Sequence, residues 1–251
     1  MPVWALADLH LSFGVPDKEM DVFGPQWISY TEKVEHNWRA NISHDDLVLI
    51  PGDISWAMHP EEAKADLDWI DRLPGTKLLL RGNHDYWWTS LNKIEAVRPQ
   101  SIHYLQNNAF QWHDVSVAGA RLWDSSEYNF GPYINYQKNE RAKPLTAEDH
   151  NPIEAEKIFQ RELGRLEMSL KCLDKSPKKT RLVMTHYPPI GADLHESRVS
   201  RLLEKNDVRV CVFGHLHNVR KDQPLFGKKN GIDYLLTACD YVDFEPIKIF
   251  G

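Results

Sequence analysis

The sequence predicts an α/β fold with a mainly parallel sheet covered by helices. Two observations carry this: short apolar runs alternate with helical stripes, and most runs end at a cluster of glycine, acid, amide or histidine. Later strand-like segments lack long intervening helices, which predicts a second, more antiparallel sheet. The chain has 251 residues, 42% of them hydrophobic, enough to bury a sizeable core as a single domain.

The elements follow in order. Val3 to Ala7, Leu47 to Ile50, Lys77 to Leu80, Arg181 to Thr185 and Val208 to Phe213 read as buried strands. Gln26 to Ile42 repeats apolar residues at helical spacing through Trp27, Tyr30, Val34 and Trp38. Pro60 to Leu73 opens with proline at a first helical position. Ile153 to Lys175 carries Phe159, Leu163, Leu166, Leu170 and Leu173 on one stripe. Strand, helix, strand alternation calls for right-handed crossovers with helices outside. Val115 to Trp123, Tyr234 to Cys239 and Pro246 to Phe250 are the later strand-like runs. Lys228-Lys229-Asn230-Gly231 carries the Asn-Gly signal of a hairpin. Residues 124–151 lack periodicity and are dense in aromatics, and read either as a surface excursion or as a lid over a site.

Composition narrows the function. Thirty Lys and Arg against 36 Asp and Glu give a net charge of −6, which disfavours sequence-independent grip on a nucleic acid. Three cysteines, Cys172, Cys211 and Cys239, form neither a CxxC nor an even framework, as expected of a reducing compartment. No apolar run approaches the roughly 20 residues that cross a bilayer. The start, Met1-Pro2-Val3-Trp4 leading to Asp8, has no signal-peptide pattern. The expectation is a cytoplasmic protein with no membrane partner.

Polar clusters follow the five buried strands: Asp8-Leu9-His10, Gly52-Asp53, Gly82-Asn83-His84-Asp85, His186, and Gly214-His215-Leu216-His217. Ligands of open α/β sheets bind beyond the carboxyl ends of strands, so residues far apart in sequence can meet at one edge. Two carboxylates, an amide oxygen and several imidazoles suit borderline divalent ions such as Mn²⁺, Fe²⁺, Co²⁺ or Zn²⁺. The glycines let the backbone turn close to a ligand.

In this order the five clusters resemble the calcineurin-like metallophosphoesterase family, over residues 8 to 217. The resemblance implies two packed mixed β-sheets flanked by helices, a four-layer αββα sandwich. It implies two divalent metal ions: one on Asp8, His10 and His217, the other on Asn83, His186 and His215, with Asp53 bridging. It implies hydrolysis of a small phosphomonoester or phosphodiester by a metal-bridging hydroxide, with His84 facing the substrate and assisting the leaving group. Physical chemistry agrees, since dications about 4 Å apart repel by roughly 16 kcal/mol at an effective dielectric near 20 and need anions between them.

Arg121 stands at another strand end, as a phosphate contact or as half of an ion pair with Asp124. Asp85 either orients His84 or caps a helix, and Trp87 and Trp88 either wall the site or pack. His36, His44, His59, His103, His113, His150 and His195 read as ordinary histidines, with His195 placed to line a pocket if any does. Gly52-Asp53 continues as Ile54-Ser55-Trp56, unlike the protein Ser/Thr phosphatases of the family. His84 is present where lipid A pathway hydrolases lack it, and the large DNA-binding extension of the repair nucleases is missing. The alternatives are a non-catalytic scaffold of the same fold, or a small nuclease or cyclic-nucleotide phosphodiesterase.

Overall fold

A computed structural model describes residues 1–135 and 151–251. The expected insertion at 124–151 therefore lies partly outside the described residues. Eleven strands and five helices are described: β1 (Val3–Ala5), α1 (Tyr30–Asn41), β2 (Leu47–Ile50), α2 (Pro60–Asp71), β3 (Thr76–Leu80), α3 (Leu91–Glu95), β4 (Ile102–Leu105), β5 (Phe110–Trp112), β6 (Val115–Ala120), α4 (Pro152–Lys171), β7 (Thr180–Thr185), α5 (Arg198–Lys205), β8 (Val210–Phe213), β9 (Gly227–Lys229), β10 (Ile232–Leu236) and β11 (Ile247–Phe250).

The strands form two mixed sheets, ordered β11-β1-β2-β3-β4 and β5-β6-β7-β8-β10-β9. In the first, only β11 is antiparallel to its neighbour. The second corrects the expectation of a more antiparallel sheet. Its central pairs β6/β7, β7/β8 and β8/β10 are parallel, and only the edge strands β5 and β9 run antiparallel. The cause is connectivity: α4 and α5 lie in the crossovers from β6 to β7 and from β7 to β8, and the antiparallel edge strand β9 turns the chain back before β10. The run at 246–250 departs too: it leaves the second sheet and becomes the edge of the first.

Alternation of side chains along each strand builds the layers. Val3, Ala5, Leu47, Leu49, Leu78 and Leu80 meet Val117, Leu182, Met184 and Val212 between the sheets. Val48, Ile50 and Leu79 point the other way, onto Val34 and Trp38 of α1 and Leu67 and Ile70 of α2. Val183, Cys211 and Phe213 do likewise against Phe159, Leu166 and Leu170 of α4 and Val199 and Leu203 of α5. Both faces of the central strands are thus buried, which is why they read as continuous apolar runs.

Helix starts follow their signals with one exception. Asn151 caps α4, accepting from the backbone N–H groups of Ile153 and Glu154 at 3.1 and 3.3 Å. Glu62 accepts from the backbone of Met58 and His59 at 2.8 and 3.2 Å at the start of α2. The exception is the expected helix from Gln26, which begins at Tyr30 because Ser29 takes a left-handed φ of 51° after a short 3-10 turn. The Asn-Gly hairpin forms as expected, with Asn230 and Gly231 at φ 48° and 86° between β9 and β10. No described helix is long and apolar enough to cross a membrane.

Candidate metal centre

The loops after β1, β2, β3, β7 and β8 all leave the sandwich at the same edge, at the junction of the two sheets. They are tied to one another by backbone hydrogen bonds. Asp8 N–H donates to Gly52 O at 3.0 Å, His10 N–H to Asp53 O at 2.9 Å, and Gly214 N–H to His186 O at 3.1 Å. Asp8, His10, Asp53 and His215 have φ of 60°, 45°, 51° and 72°. Four side chains therefore project from left-handed backbone, a conformation that non-glycine residues hold only where the surroundings impose it.

Two glycines make room for the carboxylates. A Cβ on Gly82 would stand 2.1 Å from Asp53 Oδ1, and one on Gly214 would stand 2.2 Å from Asp8 Oδ2. The carboxylates are in turn fixed by neighbouring N–H groups, Asp53 by His84 at 2.8 Å and Asp8 by His215 at 3.0 Å.

All seven expected ligands come together. His10 Nε2 and His217 Nε2 stand 3.1 Å apart, with His217 Nε2 4.0 Å from Asp8 Oδ1. His186 Nε2 lies 2.6 Å from Asn83 Oδ1 and 3.4 Å from Asp53 Oδ2, and His215 Nδ1 lies 3.1 Å from the same Asn83 oxygen. Asp53 Oδ2 is also 3.8 Å from His10 Nε2, so this carboxylate faces both groups. Asp8, His10 and His217, and separately Asp8, Asp53 and His186, hold ligand atoms within 4.8 Å of one another.

The donor set fits divalent cations. His186 Nδ1 is 2.9 Å from Pro51 O, and His217 Nδ1 is 2.8 Å from Asp240 Oδ1. Each of these oxygens accepts a hydrogen bond from the Nδ1–H of a neutral ring, which leaves the Nε2 lone pair aimed into the cluster. Two carboxylates with almost no solvent around them also call for positive charge. Burial pushes Asp8 up to about 7. Burial also raises Asp53, but the charge and hydrogen bond of His186, with His10 behind it, win and hold it well below the usual carboxylate range. Burial lowers His186 and His217, yet Asp53 and Asp240 respectively override it and bring both to about 9.

Residues around the cluster complete it. Trp56 stacks on His10 with ring centroids 5.0 Å apart and lies 4.7 Å from His84. Trp27 sets its edge against His10 and His217, and Tyr187 covers His215 at 3.9 Å. Sequence reasoning missed Asp240, whose only signal was its place just after β10 at another strand end. His84 is half-buried beside the cluster, and among the described residues its buried Nδ1 has no hydrogen-bond partner.

Other expectations resolve differently. Asp85 neither orients His84 nor caps a helix: its carboxylate accepts from Gly82, Ile54 and Ser55 N–H and from Trp87 Nε1, locking two ligand loops together. Trp87 and Trp88 are buried in the helix-side core of the first sheet. His195 is exposed. Arg121 pairs with buried Glu162 at 3.2 Å and lies 4.6 Å over the Trp123 ring.

An edge of two mixed sheets carrying this Asp/Asn/His cluster defines a class, and residues 1–219 match the family described as calcineurin-like phosphoesterase. The chain belongs to that family. The Gene 66 protein of Mycobacterium phage D29 is 32% identical over 83 residues, spanning 33% of this chain and 40% of that protein, well under two thirds of its length. Phosphopantetheinyl hydrolase from Mycobacterium tuberculosis shares the fold, with a TM-score of 0.58 at 14% identity over 99% of this chain and 95% of that one. A protein of unknown function from Aquifex aeolicus aligns over 98% of this chain and 95% of its own, with a TM-score of 0.48 at 14% identity.

Proposed function

We propose that the chain is a metal-dependent phosphohydrolase that cleaves a small phosphomonoester or phosphodiester. One observation carries this reading: seven side chains from five loops turn their ligand atoms onto a space bounded by the His10–His217 and His186–Asn83 contacts. Asp8, His10 and His217 are assigned to one cation, Asn83, His186 and His215 to a second, and Asp53 to both. Mn²⁺, Fe²⁺, Co²⁺ and Zn²⁺ all suit this mixed oxygen and nitrogen set. Such a pair supplies positive charge for the phosphoryl oxygens and lowers the pKa of water from about 15.7 towards 7.

The remaining work falls to the chain. Asp8 and Asp53 are held rigidly by backbone N–H groups, so little reorganisation accompanies catalysis. His84 faces the substrate, where it donates a hydrogen bond to a phosphoryl oxygen or hands a proton to the leaving oxygen. Trp56, packed on both His10 and His84, limits their motion. The three free thiols Cys172, Cys211 and Cys239 support a reducing, cytoplasmic setting.

The test is turnover of p-nitrophenyl phosphate and bis-p-nitrophenyl phosphate with Mn²⁺ by the wild type, Asp53→Asn and His84→Ala. Hydrolysis by the wild type that is lost in both variants is the expected result; equal turnover in all three proteins rejects the proposal. The ratio of the two substrates separates a monoesterase from a diesterase.

A further inference from the structure

A second cavity of about 110 Å³ opens at the ends of β3, β4 and β6, lined by Arg81, Trp88, Gln106, Arg121, Glu162 and Arg165 among others. Its volume is several times the roughly 10–15 Å³ that one water requires, so a tetrahedral oxyanion fits. The wall is strongly unbalanced in charge. Three guanidiniums face one carboxylate, and a single oxygen of that carboxylate, Glu162 Oε1, already serves Arg165 at 2.8 Å, Arg121 at 3.2 Å and the flanking Arg161 at 3.9 Å.

Arg81 has no such partner. Among the described residues its guanidinium makes neither a hydrogen bond nor an ion pair, and the Nε atoms of both Arg81 and Arg121 are buried without an acceptor. Asp85, the other acid that acts on Arg81, has its oxygens occupied by Gly82, Ile54, Ser55 and Trp87. Arg81 and Arg121 lie close enough to repel one another. Buried, unpaired N–H donors on like charges are costly, and an anion between them satisfies both. Gln106 adds a donor, because its oxygen is held by Trp88 Nε1 at 2.8 Å and its amide nitrogen is left over. Against the three guanidiniums of the wall stand only Glu162 and, behind Arg81, Asp85, so the cavity keeps a net positive charge suited to an oxyanion.

We propose that this cavity is a second anion site, gripping a phosphate-class oxyanion between Arg81 and Arg121 at the same edge as the metal centre but outside it. The occupant is either the distal phosphate of a substrate or a free phosphate ion. The site stands independently of the proposed hydrolysis.

The test uses chelator-treated protein, so that cations play no part, titrated with inorganic phosphate by calorimetry. The wild type is expected to bind one phosphate saturably, Arg81→Gln at least tenfold more weakly, and Arg81→Lys in between. No binding by the wild type, or equal affinity in Arg81→Gln, overturns the proposal. Should Arg81→Gln fail to fold, crystals of the chelated wild type grown in sulfate decide: density between Arg81 and Arg121 upholds the site and an empty cavity rejects it. With Mn²⁺ restored, a propanediol bisphosphate that binds once per chain and displaces phosphate identifies a substrate's distal group. Inorganic phosphate that it leaves in place identifies a free anion; the site stands in either case.

Discussion

His217 Nδ1 and Asp240 Oδ1 stand 2.8 Å apart, and the second oxygen of Asp240 accepts the Asn218 N–H at 2.9 Å. Asp240 thus fixes both the tautomer of His217 and the path of the loop beyond it. Asparagine offers one acceptor where two donors point, so Asp240→Asn is expected to weaken Mn²⁺ binding by about 10–100-fold. Calorimetric titration checks this, and unchanged affinity would remove Asp240 from the centre.

His84 is expected to act on the substrate and not on the cations. His84→Ala should lower kcat by about 10²–10⁴-fold, the usual range for losing a general acid, while Mn²⁺ affinity stays near that of the wild type. A parallel loss of both would show that the ring is part of the metal's own support.

Gly82 is the tightest point of the site, since a Cβ there meets Asp53 Oδ1 at 2.1 Å and Asp53 N at 2.3 Å. Neither atom yields without moving the carboxylate. Gly82→Ala is expected to cost roughly 100-fold or more in turnover, because displacement of a catalytic group by about 1 Å has that effect. A variant of near wild-type rate would mean that the loop relaxes freely.

Asp85 is buried with four donors on its two oxygens, between 2.7 and 3.1 Å. In Asp85→Asn the amide nitrogen must face at least one N–H, and the loss is expected to be about 1.5–3 kcal/mol of stability, read from urea unfolding. A change within error would contradict its role as the lock between the Asp53 and Asn83 loops.

Lys77 is fully buried, with Nζ donating to Asp71 O, Leu73 O and Ser101 Oγ. Burial, only partly opposed by Asp71, brings it from 10.5 down to about 8. Between these values the unfolded chain holds a proton that the folded chain lacks, so raising the pH through this window favours folding, by at most about 1.4 kcal/mol per unit. The stability of the wild type minus that of Lys77→Met should therefore rise from pH 8 to 9.5. A difference that stays flat or falls refutes the assignment.

The parts of the fold legible in sequence are those with both faces buried. β2, β3, β7 and β8 present unbroken apolar runs because each is packed between a sheet and a helix layer. β5 and β9 are three-residue edge strands with exposed central residues, and no periodicity can show in so short a segment. The direction of β10 was hidden because the hairpin before it reads as antiparallel, while its other neighbour, β8, is parallel. The convergence of Asp8, His10, Asp53, Asn83, His186, His215 and His217 was legible because each lies within a few residues of a strand end. Asp240 and Arg81 were not, since their meaning lies in which imidazole nitrogen or which empty space they face, and adjacency in sequence carries neither.

The seven proposed ligands are divided between the layers: Asp8, His10, Asp53 and Asn83 follow strands of one sheet, and His186, His215 and His217 follow strands of the other. Neither half alone owns a complete cradle, so any ion seated there rivets the sandwich across its seam. Occupancy then becomes mechanical as well as chemical. At a free concentration 100 times Kd the rivet adds about 2.7 kcal/mol to cohesion, and depletion of the ion loosens the very joint at which the reacting groups meet.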